Sequence, residues 1–166
     1  QAKTTLENWY QTNIGSKSNL AKNVASGAYY CEQAKVKYHD SYTSGNATMT
    51  FYNSYTPNFK CSTDGNGKGQ VNASIGLLTY DEVVYAGIHA NYSGGKNYLY
   101  SNFRYWTMSP AGYFNNRSMI WAITPSSMFS YSANGAGIIL NPVINLKSDT
   151  QISSGDGTKD NPFTVE

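Results

Sequence analysis

Three short runs of β-branched and aromatic residues in the C-terminal half constrain the fold of this chain most. They cover residues 103–108, 119–124 and 138–146, and Ser-Pro, Thr-Pro-Ser-Ser and Asn-Gly sequences bound them. Strand-forming residues between such turn signals predict short strands joined by loops. We therefore expect three short strands in this half of the protein.

Two capping-box sequences predict helices. In the Thr-Tyr-Asp-Glu sequence at 79–82, the threonine hydroxyl can accept from the glutamate amide while the carboxylate reaches back to the helix start. Gly87 is placed to end this helix in a left-handed conformation. The same pattern at residues 4–7 predicts an amphipathic helix near the start of the chain, and a further short helix is expected over 18–24.

Length and composition bound the class of protein. The 166 residues fit one domain, so a single domain over 1–166 is expected. Only 13% of the residues are charged and 15 are tyrosines, so solubility rests on Asn, Ser, Thr and Tyr, which is typical of exported bacterial proteins. The net charge is +2 and the lysines are scattered. Because nucleic-acid binding needs clustered Lys and Arg, no nucleic-acid partner is expected.

The two cysteines favour an oxidising compartment. Cys31 and Cys61 have no CxxC spacing and no accompanying histidine cluster, so a disulfide is the favoured interpretation, with two free thiols as the alternative. No apolar run reaches the roughly 18 residues of a membrane span, and no signal peptide is present. We expect a mature or excised ectodomain of a secreted or cell-surface protein, without membrane contact.

Several sequence motifs resemble a known family. They are Gly-Leu-Leu-Thr-Tyr-Asp-Glu-Val-Val-Tyr-Ala-Gly at 76–87, Tyr-Trp-Thr-Met-Ser-Pro at 105–110, Asn-Pro-Val-Ile-Asn-Leu-Lys-Ser-Asp at 141–149 and Gly-Asp-Gly-Thr at 155–158. Together they resemble bacterial surface and pilin-associated modules of C-type-lectin-like fold, akin to the variable proteins of diversity-generating retroelements. Asn141 stands where that family has arginine. The resemblance implies an α+β, C-type-lectin-like fold of two helices, a small twisted antiparallel sheet and long loops.

The segment from 111 to 134 has the composition of a recognition surface. Tyr and Phe supply stiff contact area, while Ser, Asn and Gly supply adaptable hydrogen bonding. The alternative is that some of these aromatic side chains complete the core. The predicted ligand-binding residues are Tyr113, Phe114, Asn115, Asn116, Arg117, Trp121, Ser126, Phe129, Tyr131 and Asn134.

The orientation of the strand at 119–124 is ambiguous from sequence. Alternation puts Trp121 on one face and Ile120 and Ala122 on the other. We assign Ile120 and Ala122 to the core, which leaves Trp121 near the ligand-facing surface. Trp106 is expected in the core, with its indole N–H bonded to a buried acceptor.

No motif for catalysis or for a metal stands out. The acidic loop at 64–69 begins like a calcium-binding EF-hand, but its twelfth position is Ile75 rather than glutamate. The segment 156–160 is interpreted as a solvated turn, with calcium binding as the alternative. Since GxSxG, HExxH and P-loop sequences and the calcium triplets of sugar-binding lectins are lacking, we expect no enzyme activity, no metal and no cofactor.

These observations predict a recognition function. The expected role is an adhesin-like module of a bacterial surface protein that binds a protein or glycan through an aromatic, Asn- and Ser-rich face. The alternative is a structural pilin-like or pilus-tip subunit whose N-terminal stalk helix has been removed. A third possibility, an enzyme, would need a cluster of perturbed titratable groups in one pocket.

Overall fold

The protein is a mixed α+β chain with three short helices and curled sheets. The computed structural model describes residues 2–31, 40–44, 47–51, 59–61, 69–88, 97–114, 117–158 and 160–166. The helices are α1 (Ala2–Tyr10), which continues into a π-helical turn (Gln11–Gly15), α2 (Ser18–Ala21) and α3 (Tyr80–Tyr85). The strands are β1 (Ala28–Cys31), β2 (Asp40–Ser44), β3 (Ala47–Phe51), β4 (Gln70–Ala73), β5 (Arg104–Phe114), β6 (Arg117–Ile123), β7 (Met128–Ser132), β8 (Ile138–Ile139), β9 (Ile152–Ser154) and β10 (Thr164–Val165).

The principal sheet has four strands in the order β7-β6-β5-β8. β6 is antiparallel to both β5 and β7, whereas β8 runs parallel to the start of β5. The other sheets are the two-stranded pairs β1–β4, β2–β3 and β9–β10. The antiparallel sheet is confirmed for β5, β6 and β7. β7 was not predicted, and the third predicted strand is reduced to Ile138–Ile139 and pairs parallel to β5.

The chain forms two compact units. The first contains Gln1–Tyr29, Asn72–Gly76 and Pro142–Glu166, and the second contains Tyr30–Val71 and Leu77–Asn141. Each unit is therefore described by itself, and the expected single domain stays a prediction.

In the first unit, the N-terminal helix packs through one stripe. Leu6 and Tyr10 lie one turn apart and are buried, whereas Trp9 is 42% exposed. The helix is confirmed, but its predicted start is wrong because Thr4 lies inside α1 rather than at its cap. The second predicted helix is also shorter than expected, since α2 covers only Ser18–Ala21.

The last part of the chain, Pro142–Glu166, belongs to this first unit and does not extend the principal sheet. Gly76 and Val143 exchange two backbone hydrogen bonds of 2.9 Å, and Val24 forms an isolated bridge with Leu146. Asn23 also bonds this region, because its side-chain amide donates to the Glu166 carbonyl at 2.7 Å. These bonds account for the early end of β8.

The Gly-Asp-Gly-Thr sequence near the end forms a closed turn. Gly155 has φ +93°, and a side chain there would overlap the Pro162 carbonyl. The Asp156 carboxylate accepts from the Thr158 amide at 3.0 Å, and the Thr158 hydroxyl accepts from the Asn161 amide at 3.1 Å. Hydrogen bonds from Thr158 and Asn161 lower the pKa of Asp156 below its usual value.

In the second unit, α3 forms as its sequence predicts. The Thr79 hydroxyl accepts from the Glu82 amide at 3.2 Å, and the Glu82 carboxylate accepts from the Thr79 amide at 2.7 Å. Gly87, at φ +91°, ends the helix, and the Ile88 amide reaches back to the Val83 carbonyl at 3.1 Å. This is a Schellman ending, and the two apolar residues that it brings together, Val83 and Ile88, are fully buried.

β5 runs through Ser109 and Pro110, where a turn was expected. Its register with β6 shifts on both sides of Pro110, which places the proline at an irregularity where its missing N–H is tolerated. The Met108 amide instead bonds the Leu78 carbonyl at 2.8 Å, and the Ser109 hydroxyl accepts from the Tyr80 amide at 2.8 Å. The bulge therefore anchors α3 to the sheet.

The core of the second unit lies between α3 and one face of the principal sheet. We call that face the inner face. Its buried cluster comprises Tyr80, Val83, Val84, Ile88, Tyr105, Ala111, Trp121, Ile123 and Met128.

The predicted disulfide is confirmed, since Cys31 and Cys61 are bonded with their Cα atoms 5.0 Å apart.

Candidate binding face

The other face of the principal sheet is the candidate site. Along β5, Tyr105, Thr107, Ser109 and Ala111 are buried, whereas the residues between them are only half-buried. This alternation shows that the even-numbered positions point away from the inner face. We call the resulting surface the outer face and define it by Arg104, Trp106, Ile120, Ala122, Phe129 and Tyr131.

Strand register decides which of these side chains are neighbours. Ala122 is paired with Trp106 on one side and with Phe129 on the other, so the three form a row across three strands. Ala122 is fully buried in this row, while Phe129 is 44% exposed. Ile120 and Tyr131 are paired in the next row, and both are half-buried.

Arg104 adds a positive charge to this aromatic surface. Its guanidinium carbon lies 5.3 Å from the centre of the Tyr131 ring, which is a cation–π arrangement. The side chain is exposed, and no described carboxylate forms an ion pair with it. The guanidinium N–H groups are therefore open to a ligand over the outer face.

The prediction for Trp121 is wrong. Trp121 is 4% exposed and belongs to the inner face, with its ring 5.0 Å from that of Tyr80. Ala122 is fully buried, as predicted, because β6 is buried on both faces at this point: Ala122 and Ile123 have no exposed surface. Large residues on neighbouring strands cover the small alanine on the outer face.

Trp106 also departs from its prediction. It is half-buried and lies on the outer face rather than in the core cluster. The far end of its indole approaches the loop after β7, where a Cβ at Gly135 would lie 3.9 Å from the ring. Trp106 thus forms one border of the outer face.

The remaining predicted site residues do not gather at one point. Asn115, Asn116 and the side chain of Tyr113 lie outside the described residues. Ser126 and Asn134 are exposed but flank opposite ends of β7, a strand that spans about 17 Å for its five extended residues. Phe114 is half-buried at the end of β5, and Arg117 is exposed at the start of β6. Of the predicted residues, Phe129 and Tyr131 share the outer face.

Four residues of the outer face were not among the predicted ligand-binding residues, namely Arg104, Trp106, Ile120 and Ala122. A sequence signal for Arg104 existed: between Glu82 and Asp149 the chain has no Asp or Glu, so an arginine on this sheet lacks an acidic neighbour in its own strands. Its position over Tyr131 could not be read from the sequence, because it depends on packing across three strands.

Two titratable groups among the described residues, Tyr105 and Asp156, have clearly shifted pKa values. Burial raises the pKa of Tyr105 to about 12, against a hydrogen bond with Asn141 that lowers it. Its hydroxyl donates to the Leu99 carbonyl at 2.5 Å. Tyr105 is in the second unit and Asp156 in the first. Among the described residues, no three His, Cys, Asp or Glu side chains are placed to hold a metal ion together.

Comparison with known proteins adds no relative. The chain matches no protein-family model, and searches of the curated proteins and of the solved structures return no match. None of the helices in the described ranges is both long and apolar enough to cross a membrane. Function is therefore argued from the outer face itself.

Proposed function

We propose that this chain is an extracellular recognition module of a bacterial surface protein, with a C-type-lectin-like fold, that binds a glycan or protein ligand without catalysis. The observation that carries the proposal is the stacking of Arg104 on Tyr131 beside the row of Trp106 and Phe129. The disulfide between Cys31 and Cys61 supports an oxidising compartment, in keeping with secretion or surface display.

The composition of the outer face suits binding. Trp, Tyr and Arg are the residues that most often dominate binding energy at recognition surfaces. The aromatic rings of Trp and Tyr lose little conformational entropy on binding, because strand register and packing already hold them in place. The face is mounted on paired strands rather than on a loop, so its geometry is set before a ligand arrives.

A binding screen tests the proposal. The purified protein is applied to arrays of glycans and host proteins, with and without EDTA, beside the variant Phe129→Ala/Tyr131→Ala. We expect EDTA-resistant binding by the wild type and its loss in the variant. The matched control is Tyr29→Ala/Tyr98→Ala, which removes two tyrosines that are 69% and 83% exposed and belong to none of the strands of the principal sheet.

Two results would count against this function. Binding that survives Phe129→Ala/Tyr131→Ala but is lost in the tyrosine control would move the site elsewhere. Failure of the wild type to bind any member of either array would favour the structural pilin-like subunit.

A further inference from the structure

The charges of the principal sheet have one sign. No Asp or Glu occurs between Glu82 and Asp149, so β5, β6, β7 and β8 carry only the positive charges of Arg104 and Arg117. The strand β3, which lies beside β5, has no charged residue either. An anion that approaches this sheet meets no carboxylate from its strands.

The surroundings of the Arg104 side chain suit an anionic ligand. Its guanidinium is held over the Tyr131 ring, at 5.3 Å from the ring centre, and has no ion-pair partner among the described carboxylates. A guanidinium presents its N–H groups in a planar fork that matches a carboxylate. The exposed ring of Phe129 lies on the same face.

The outer face is large enough for one or two sugar rings. Five residues along β7 span about 17 Å, and three strands span about 10 Å between their outer axes. The apolar side of a pyranose can lie on an aromatic ring.

We propose that the ligand of the outer face is an acidic glycan, a sugar that bears a carboxylate. The carboxylate binds the Arg104 guanidinium, and the sugar ring packs on Phe129 and the rim of Trp106. This inference rests on the proposed recognition function and adds the charge and class of the ligand.

The test compares acidic sugars with uncharged partners of the same shape. The probes are trigalacturonate and 3′-sialyllactose, each compared with its methyl ester by calorimetric titration. We expect at least one acid to bind about tenfold or more tightly than its uncharged partner, and Arg104→Gln to abolish that difference. Arg104→Lys should restore only part of it, because lysine keeps the charge but loses the planar fork. Binding of the acid should weaken as salt is added.

Arg117→Gln is the matched control, since it removes the other exposed arginine of the sheet and should leave the preference intact. Equal binding of acid and uncharged partner would overturn the anion assignment while leaving the recognition function standing. Loss of the preference in Arg117→Gln but not in Arg104→Gln would overturn the role of Arg104. If no sugar binds and an acidic protein from the array does, the glycan assignment is wrong; binding to nothing would remove the recognition function as well.

Discussion

Replacing Trp121 by alanine tests which side of β6 is the core. Trp121 is 4% exposed and packs 5.0 Å from Tyr80, so the substitution removes a large buried ring and leaves a cavity between α3 and the sheet. A buried tryptophan removes roughly 150–250 Å² from water, worth about 4–6 kcal/mol at the usual coefficient. Measured truncations of this kind cost about 3–5 kcal/mol, so we expect about 4 kcal/mol.

The control substitution is Phe129→Ala on the outer face of the next strand. Phe129 is 44% exposed, so it loses about half of the transfer free energy of a fully buried phenylalanine, or about 1 kcal/mol. Urea unfolding followed by circular dichroism measures both free energies. In thermal unfolding, Trp121→Ala should lower the Tm by about 8–16 °C for a chain of this size.

A third variant separates packing from polarity. The indole N–H of Trp121 forms no hydrogen bond within the part of the chain that the structure describes. Trp121→Phe keeps a ring beside Tyr80 and removes this buried donor, so its cost should be far smaller, at about 1 kcal/mol. If Phe129→Ala were the more destabilising truncation and Trp121→Ala cost less than about 1 kcal/mol, the inner and outer faces would be wrongly assigned.

Three further outcomes follow from local geometry. Because burial raises the pKa of Tyr105 from 10.0 to about 12, its contribution to stability is present below about pH 10 and is lost as pH rises through 12; ultraviolet titration should show a late-titrating tyrosine that Tyr105→Phe removes. Thr79→Ala should destabilise the protein by about 1 kcal/mol in urea unfolding, whereas Thr79→Ser should retain the bond from the Glu82 amide. Cys31→Ser/Cys61→Ser should cost about 3–4 kcal/mol in the same assay, and thiol titration of the denatured wild type should find no free thiol.

The helix at 80–85 shows what local sequence can predict. Its start depends on two hydrogen bonds between residues three positions apart, and its end on the left-handed conformation of Gly87. Such interactions need no partner from elsewhere in the chain, so reading the sequence finds them. At residues 4–7 the same pattern predicted a wrong helix start. A capping box marks the start only if the helix does not already begin before it, and α1 begins at Ala2.

The candidate site was only partly predictable. Aromatic residues Phe129 and Tyr131 were identified from composition, and alternation correctly separated Trp121 from Ile120 and Ala122. Alternation says which side chains share a face but not which face meets the core. Both faces of β6 are apolar enough to be buried, so that choice rests on contacts with α3, which lies far away in sequence.

The sequence by itself indicated strands β5 and β6, the capped helix α3 and a disulfide between Cys31 and Cys61, since each depends on local chemistry or on the only two cysteines in the chain. The tertiary structure alone decided that Trp121 lies inside and that Arg104 stacks on Tyr131. The physical reason is that these contacts join strands that are distant along the chain, and their register follows from packing the whole sheet against α3.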